Sequence, residues 1–186
     1  VDTGSNHADL NDEYAAVADE MRLVAQALGG DVLRDFSKER LMANIPLLRA
    51  HVNDRAILRA IHFFDDNRRV IEEVQALQQG DIARFLDLII ESGNSSWMLC
   101  QNVHSTREWE QQGIAIGLAA SRNLLEGCGA WRVHGGGFAG TLQAFVPERL
   151  IHGYVTYMQQ IFGKNSCYVL YLRPTGTMKF EITGGD

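Results

Sequence analysis

The segment RVHGGGFAGTLQAFVP, residues 132–147, contains a stretch whose residue types are typical of a binding loop. Positions 135–140 hold four glycines, together with Phe138 and Ala139. Glycine is the usual residue where φ is positive or where a ligand approaches the main chain closely. Consecutive exposed N–H groups can form a concave nest that binds anions, which suits nucleotide phosphates. A tight turn is the alternative interpretation, although four glycines in six positions are more than a turn requires.

The context of the glycines excludes two familiar phosphate loops. Alternating apolar residues in WRVH and TLQAFVP predict a strand on each side, so the glycines form a hairpin connection. A Walker A loop needs GxxxxGK followed by Ser or Thr, and the dinucleotide fingerprint needs GxGxxG at the start of a helix. Neither context is present. If this stretch binds a ligand, it does so as a loop between two antiparallel strands.

Other polar residues are weaker candidates for chemistry. Glu91, Ser92 and Ser95 lie in the polar break ESGNSSWML. Such residues cap helices at least as often as they bind ligands. His7 and His134 flank motif stretches, and a hydrogen bond to the backbone is the commoner role for such histidines. We assign no reaction step to these five residues.

The elements that must position the loop follow from the apolar spacing. Steps of three and four residues from Leu10 to Leu28 predict a helix that Gly29 and Gly30 end. Further helices are predicted from Ser37 toward Pro46, from Asn53 to Gly80, after Asp81, from about residue 108 to 126, and in ERLIHGYVTYMQQIF. The segments CYVLYLRP and MKFEI alternate like strands. The charged run DDNRR, residues 65–69, predicts a solvated helix face with local ion pairs.

The order of these elements is helices followed by β-β-α-β-β. This order predicts an α+β domain in which helices cover a small antiparallel sheet. With 186 residues, no internal repeat and no linker, residues 1–186 are expected to form one domain.

Composition limits the partners and the compartment. The net charge of −6, with Lys and Arg scattered, leaves no basic footprint for nucleic acid or an anionic membrane. No apolar stretch approaches the ~20 residues that span a bilayer, and no signal peptide opens the chain. Three widely spaced cysteines (Cys100, Cys128, Cys167) indicate neither a disulfide framework nor a zinc site. We expect reduced, mostly buried thiols in a cytoplasmic protein.

Several stretches together resemble one family of kinases. RVHGGGFAGTLQAFVP is similar to the C-terminal glycine motif of the sugar and small-alcohol kinases that include galactokinase, homoserine kinase and mevalonate kinase. DTGSNHADLNDEYAAVADEM, ESGNSSWMLCQNV and CYVLYLRPTG resemble stretches of bacterial galactokinases in the same order. The resemblance covers nearly the whole chain, and the chain resembles the C-terminal domain of a galactokinase. Ala139 replaces a common glycine and His134 a common threonine, and the methyl group of Ala139 argues against a positive φ there.

The resemblance implies a function for the intact protein. In galactokinases, ATP with Mg²⁺ phosphorylates the 1-hydroxyl of galactose. The family's sugar signature, central phosphate loop and catalytic Asp would precede Val1, so the resemblance places no catalytic residue and no metal ligand in this chain. The chain alone is expected to be inactive, with the missing N-terminal half as its partner. A half-cleft without its partner also predicts exposed apolar area and a tendency to dimerise.

The resemblance also implies the site residues. Tyr14 matches the family tyrosine that reaches galactose, whereas the helical spacing alone favours a core residue. The glycine loop is expected beside the sugar and the transferring phosphate: Gly135, Gly136, Gly137, Phe138, Ala139 and Gly140. Three alternatives stay open, namely a related kinase for another sugar, a galactose-sensing protein without catalysis, and a purely structural domain.

Overall fold

A computed structural model of the protein describes residues 1–5, 10–171 and 176. Within these residues six α-helices precede a β-hairpin, and another α-helix follows it. The elements are α1 (Asn11–Ala27), α2 (Lys38–Ala43), α3 (Ile45–Leu48), α4 (Asp54–Gln79), α5 (Ile82–Ser95), α6 (Gly113–Leu125), β1 (Ala130–Val133), β2 (Leu142–Phe145) and α7 (Ile151–Phe162). The predicted fold class, α+β with a small antiparallel sheet, is confirmed.

The predicted helix starts at Ser37, Asn53 and Asp81 and the predicted end at Gly80 are confirmed. The helix predicted from Ser37 toward Pro46, however, ends at Ala43, and Pro46 lies in α3. Ser37, Asn53 and Asp81 each accept a hydrogen bond from the backbone N–H three residues later, at 3.3, 2.8 and 2.9 Å. These side chains satisfy donors that a helix start leaves unpaired. Gly80 ends α4 with a φ of 70°, in the left-handed region that favours glycine.

Separate apolar clusters hold the elements together. The largest one, which we call the helical core, joins α1 to α4 and contains Val24, Ala25, Leu28, Leu33, Leu41, Leu48, Ala56, Ile57 and Ala60. Two further clusters include residues of α6, which packs on the hairpin through Leu118 and on α7 through Leu125. A Cβ on Gly117 would lie 2.2 Å from Leu142 Cδ2, so the glycine lets α6 approach the hairpin closely.

The predicted polar break at ESGNSSWML is wrong. Helix α5 continues to Ser95, and a π-helical turn, Ser96–Cys100, follows it directly. Ser92 Oγ donates to Asp66 at 2.6 Å, and Ser95 Oγ lies 2.9 Å from His62 Nδ1, so both serines contact α4 instead of capping a helix. The polarity of this stretch therefore reflects a hydrogen-bonded seam between α4 and α5.

The charged run in α4 is only partly solvated. Arg68 is exposed as expected, but Arg69 is buried and donates to Asp66 at 3.1 Å. Asp66 also accepts the Ser92 hydroxyl, so it faces α5. Glu91 pairs with Arg84 at 2.8 Å and likewise caps no helix. Sequence spacing could not distinguish the solvent-facing charges from those facing a neighbouring helix.

Three smaller expectations also need correction. Helix α6 begins at Gly113 and not near residue 108. Residues 167–171 form no strand, and their backbone pairs with none of the described residues. Apolar alternation makes a strand only where a neighbour takes its hydrogen bonds. MKFEI lies outside the described residues. Of the three cysteines only Cys100 is buried, where desolvation raises the pKa of its thiol to about 11.

Among the residues that the structure describes, no helix combines the length and the apolar character needed to cross a membrane.

Candidate functional site

The glycine loop, residues 134–141, closes the hairpin of β1 and β2. The strands pair antiparallel with Val133 opposite Leu142, and the His134 N–H donates to Thr141 O at 3.1 Å. The hairpin connection predicted from the alternating sequence is therefore confirmed. On the other side of β2, Val1 and Leu142 exchange backbone hydrogen bonds of 2.9 Å.

The backbone of the glycine loop depends on positive φ angles. Gly135, Gly137 and Gly140 have φ of 65°, 80° and 87°, and Phe138 has φ of 61° although it carries a side chain. Ala139 is absent from this set, as its methyl group predicted. The left-handed conformation of Phe138 was missed, because the residue type gives no signal for it. A left-handed conformation at a residue with a side chain destabilises the fold by about 1–3 kcal/mol, and it persists only where surrounding contacts enforce it.

Tyr14 of α1 contacts the glycine loop. Its hydroxyl donates to Gly137 O at 3.0 Å, and its ring meets Phe138 edge to face with centroids 5.5 Å apart. A Cβ on Gly136 would lie 2.5 Å from Tyr14 Cε1, so only glycine leaves room for the ring. The structure thus joins two sequence-predicted site features. Tyr14 packs in a small cluster with Leu10 and the loop, apart from the helical core.

Asn102, which sequence analysis did not single out, also contacts the glycine loop. Its backbone O accepts the Phe138 N–H at 2.6 Å, and its Nδ2 donates to Gly136 O at 3.1 Å. A Cβ on Gly137 would lie 1.9 Å from Asn102 O, a contact that no side chain tolerates. Asn102 lies in ESGNSSWMLCQNV, so the resemblance of that stretch was the one available signal.

A third contact comes from the beginning of the chain. The Thr3 N–H and the Thr3 Oγ1 both donate to Gly140 O, at 2.8 and 2.7 Å. Asp2 forms an isolated antiparallel bridge with Thr141. The glycine loop is therefore held by three segments that are remote from it in sequence.

The loop leaves donors available for a ligand. The N–H groups of Gly135, Gly136 and Gly137 donate to none of the described residues, and Gly135 and Gly136 are exposed. Positive φ at Gly135 and Gly137 alternates with Gly136, which lies outside the left-handed region. Successive N–H groups in such a turn can form a concave nest that favours an anion. This arrangement fits phosphate oxygens.

Glu13, the neighbour of Tyr14, secures the segment that follows Asn102. One oxygen of its buried carboxylate accepts Ser105 Oγ at 2.7 Å and the Thr106 N–H at 2.9 Å. Burial raises the pKa of this carboxyl, but the hydrogen bonds together outweigh burial and hold the pKa below its ordinary value. Glu13 thus stays ionised and ties α1 to the residues beside the loop.

Of the two candidate histidines, only His134 lies among the described residues. His134 is exposed with its Nδ1 3.1 Å from Thr141 Oγ1, and His7 lies outside the described residues.

A separate groove of about 600 Å³ lies between α5, α6 and β1, and no loop residue lines it. Trp97, Trp131 and Arg122 are among its lining residues, but Arg122 is already paired with Glu126 at 3.3 Å. We place the candidate site at the glycine loop instead, since three successive N–H groups there, of Gly135, Gly136 and Gly137, donate to none of the described residues.

We compared the chain with protein-family models, with curated proteins and with solved structures. No protein-family model matches the chain. Galactokinase from Actinobacillus pleuropneumoniae serotype 5b (strain L20) is 27% identical over 165 residues, which cover 89% of this chain. Galactokinase from Glaesserella parasuis serovar 5 (strain SH0165) is 28% identical over 188 aligned positions, which cover all of this chain. The chain is similar to galactokinases.

The similarity to galactokinases extends to the fold. Lactococcus lactis galactokinase, solved in complex with galactose, superposes with a TM-score of 0.69 over 86% of this chain at 21% sequence identity. The chain spans 40 and 44% of the length of the two galactokinases compared by sequence, and 39% of the solved chain. The similarity therefore concerns less than half of each relative.

Proposed function

We propose that this chain forms the C-terminal domain of an ATP-dependent galactose kinase, with the glycine loop and Tyr14 on one wall of the sugar and phosphate cleft. The observation that carries the proposal is the contact between Tyr14 and the loop glycines, in a chain similar to galactokinases along most of its length. The unpaired N–H groups of Gly135 to Gly137 support a phosphate at this place.

In this proposal the chain binds and orients the reactants. The O1 oxygen of galactose attacks the γ-phosphorus of ATP, an O1–P bond forms, and the bond to the ADP oxygen breaks. The hydroxyl proton leaves to a base that we do not assign to this chain. The loop N–H groups stabilise charge on the phosphate oxygens, which is the main requirement of phosphoryl transfer. Tyr14 packs its ring on the sugar and contacts a sugar hydroxyl.

The remaining parts of the reaction are assigned to the N-terminal half of the intact protein. Among the described residues no group of three or more His, Cys, Asp or Glu side chains is placed to hold a metal ion. The resemblance assigns the Mg²⁺ ligands to the N-terminal half, where one or two side chains would hold the ion together with the ATP phosphates. Because phosphoryl transfer depends on positioning across the cleft, we expect the chain alone to be inactive. A cytoplasmic location stays a prediction.

Exposed apolar side chains support the expected tendency to self-associate. Val70, Ile71, Val74 and Leu77 of α4 are 49–61% exposed. Light scattering of the isolated chain over a range of concentrations tests the expectation, and a monomer at every concentration contradicts it.

A kinase assay tests the proposed function. The intact protein and this chain are each incubated with ATP, Mg²⁺ and galactose, and with other aldohexoses as a specificity control. We expect galactose 1-phosphate from the intact protein at about 1–100 s⁻¹, and none from the chain alone. Turnover of another sugar in preference to galactose, or binding of galactose and ATP without turnover, contradicts the proposal and favours a related kinase or a sensor.

A further inference from the structure

Together with Tyr14, Asn102 holds the middle of the glycine loop, and it does so through both its backbone O and its side-chain Nδ2. It contacts Gly136 and Phe138 by hydrogen bonds and Gly137 by close approach. We propose that Asn102 is a positioning residue, which sets the loop conformation and thereby the direction of the loop N–H groups that receive phosphate. The inference rests on the proposed function for its kinetic consequence, and on the contacts alone for its structural one.

Asn102 is itself placed by a buried ionic contact. Arg59 of α4 is fully buried, and its Nε donates to Cys100 O at 3.0 Å while its Nη1 donates to Glu20 of α1 at 2.9 Å. Gln101 then adopts a left-handed conformation with φ of 55°, which turns the chain out of the π-helical turn. These contacts deliver Asn102 to the loop at a defined position.

The chain beyond Asn102 is fixed as well. The Glu13 carboxylate binds Ser105 and Thr106, three and four residues further on. Asn102 therefore lies between two anchored points, one on α4 and one on α1. Because the chain is fixed on both sides of Asn102, the helices set the position of Asn102, and Asn102 in turn sets the position of the loop.

The chemistry of the Asn102 side chain makes the inference testable. A carbonyl oxygen only accepts hydrogen bonds, so the group facing Gly136 O must be the Nδ2 donor. Asn102 Oδ1 is buried and accepts from none of the described residues, so the side chain acts on the loop through Nδ2. An ionised aspartate has the same shape but donates nothing, and it would repel Gly136 O. A protonated aspartate can donate again.

Substitution of Asn102 in the intact protein tests the kinetic part. We expect Asn102→Asp to lower kcat at least tenfold at pH 8, with a smaller change in KM for ATP, because the loop still exists but presents its N–H groups wrongly. Burial raises the pKa of a carboxyl, so kcat should partly recover as the pH falls and the aspartate protonates. Asn102→Ala should lower kcat without that recovery. Each rate is expressed per folded molecule, from a denaturant midpoint measured on the same preparation.

Asn67 provides the matched control. Its Nδ2 also donates to a backbone carbonyl, Phe63 O at 2.9 Å, on the exposed side of α4. Asn67→Ala should leave kcat and its pH profile unchanged. If Asn102→Asp keeps the kcat and pH profile of the parent, or loses activity only in proportion to unfolded protein, the inference is overturned.

A second measurement separates this inference from the proposed function. Amide hydrogen exchange of the intact protein reports on the Phe138 N–H, which Asn102 O accepts, whether or not galactose is a substrate. We expect Asn102→Asp to accelerate exchange at Phe138 while the helical core stays protected. Unchanged exchange at Phe138 overturns the inference even in an active kinase. A parent without galactokinase activity refutes the proposed function and leaves this comparison intact.

Discussion

The helical core and the glycine loop are stabilised in opposite ways, although α1 contributes to both. The C-terminal half of α1 places Val24, Ala25 and Leu28 in the helical core, where apolar side chains fill space. Its N-terminal half places Glu13 and Tyr14 beside the loop, where polar side chains bind the backbone. In the core each residue contributes by the volume it occupies. In the loop Gly135 and Gly140 contribute by their left-handed conformation, Gly136 by the side chain that it lacks, and Gly137 by both.

This difference indicates which substitutions each region tolerates. A core accepts another apolar residue of similar volume at small cost. A loop whose donors and backbone angles are specified individually does not offer such exchange, because each hydrogen bond has one geometry. We therefore expect the stability of the helical core to depend on side-chain volume. The stability of the glycine loop should depend on individual hydrogen bonds and backbone angles.

The largest expected effect is that of Gly137→Ala. The new Cβ would lie 1.9 Å from Asn102 O, and the backbone at φ of 80° disfavours any side chain. Gly135→Ala is the matched control, since Gly135 has a φ of 65° and nothing within 4 Å of its Cβ. Left-handed strain costs both variants about 1–2 kcal/mol; the clash with Asn102 should add several more to Gly137→Ala alone. Equal denaturant midpoints for the two variants would contradict the assigned contact.

Leu41→Ala tests the helical core. Leu41 is fully buried among α1, α2 and α4, so we expect a loss of about 2–5 kcal/mol in the free energy of unfolding. Leu41→Met, which keeps the volume, should cost less than about 1.5 kcal/mol. Chemical denaturation measures both. Similar losses for Ala and Met would show that this core depends on individual atoms as the loop does.

Glu13 gives the region beside the glycine loop a pH-dependent contribution to stability. Because the pKa of Glu13 is held below its ordinary value of 4.5, its contribution to stability is present above pH 4.5 and is lost as the pH falls through the lower folded pKa. Glu13→Gln keeps the acceptor oxygen and removes the charge. We expect it to cost about 1–3 kcal/mol at pH 7. Denaturation from pH 7 to 3 should show this difference closing toward acid, and a difference independent of pH refutes the assignment.

The smallest effect is expected for Tyr14→Phe. This change removes the hydroxyl that donates to Gly137 O and keeps the ring against Gly136 and Phe138. One hydrogen bond contributes about 0.5–1.5 kcal/mol, so the denaturant midpoint should shift slightly. If Tyr14 also contacts the sugar as proposed, KM for galactose should rise more than this loss of stability explains. An unchanged KM would restrict Tyr14 to holding the loop.

Features that arise within a few residues were predictable from the sequence. The caps Ser37, Asn53 and Asp81, the end of α4 at Gly80 and the hairpin at the glycines all rest on contacts between close neighbours. The stretch around Ser92 and Ser95 was misinterpreted because its partners, Asp66 and His62, lie on another helix. Residues 167–171 show the same limit for a strand, whose formation depends on a neighbour that alternation does not reveal.

By itself the amino-acid sequence determined the helices, the hairpin and the resemblance to galactokinases, because caps, periodicity and motifs are local in the chain. Only the tertiary structure decided how the glycine loop is held. Gly137 is 123 residues from Tyr14, and Gly136 is 34 residues from Asn102, yet each pair shares a hydrogen bond. Such contacts depend on how α1, α4 and the hairpin pack, and burial makes them possible because it removes the water that would otherwise take each donor and acceptor.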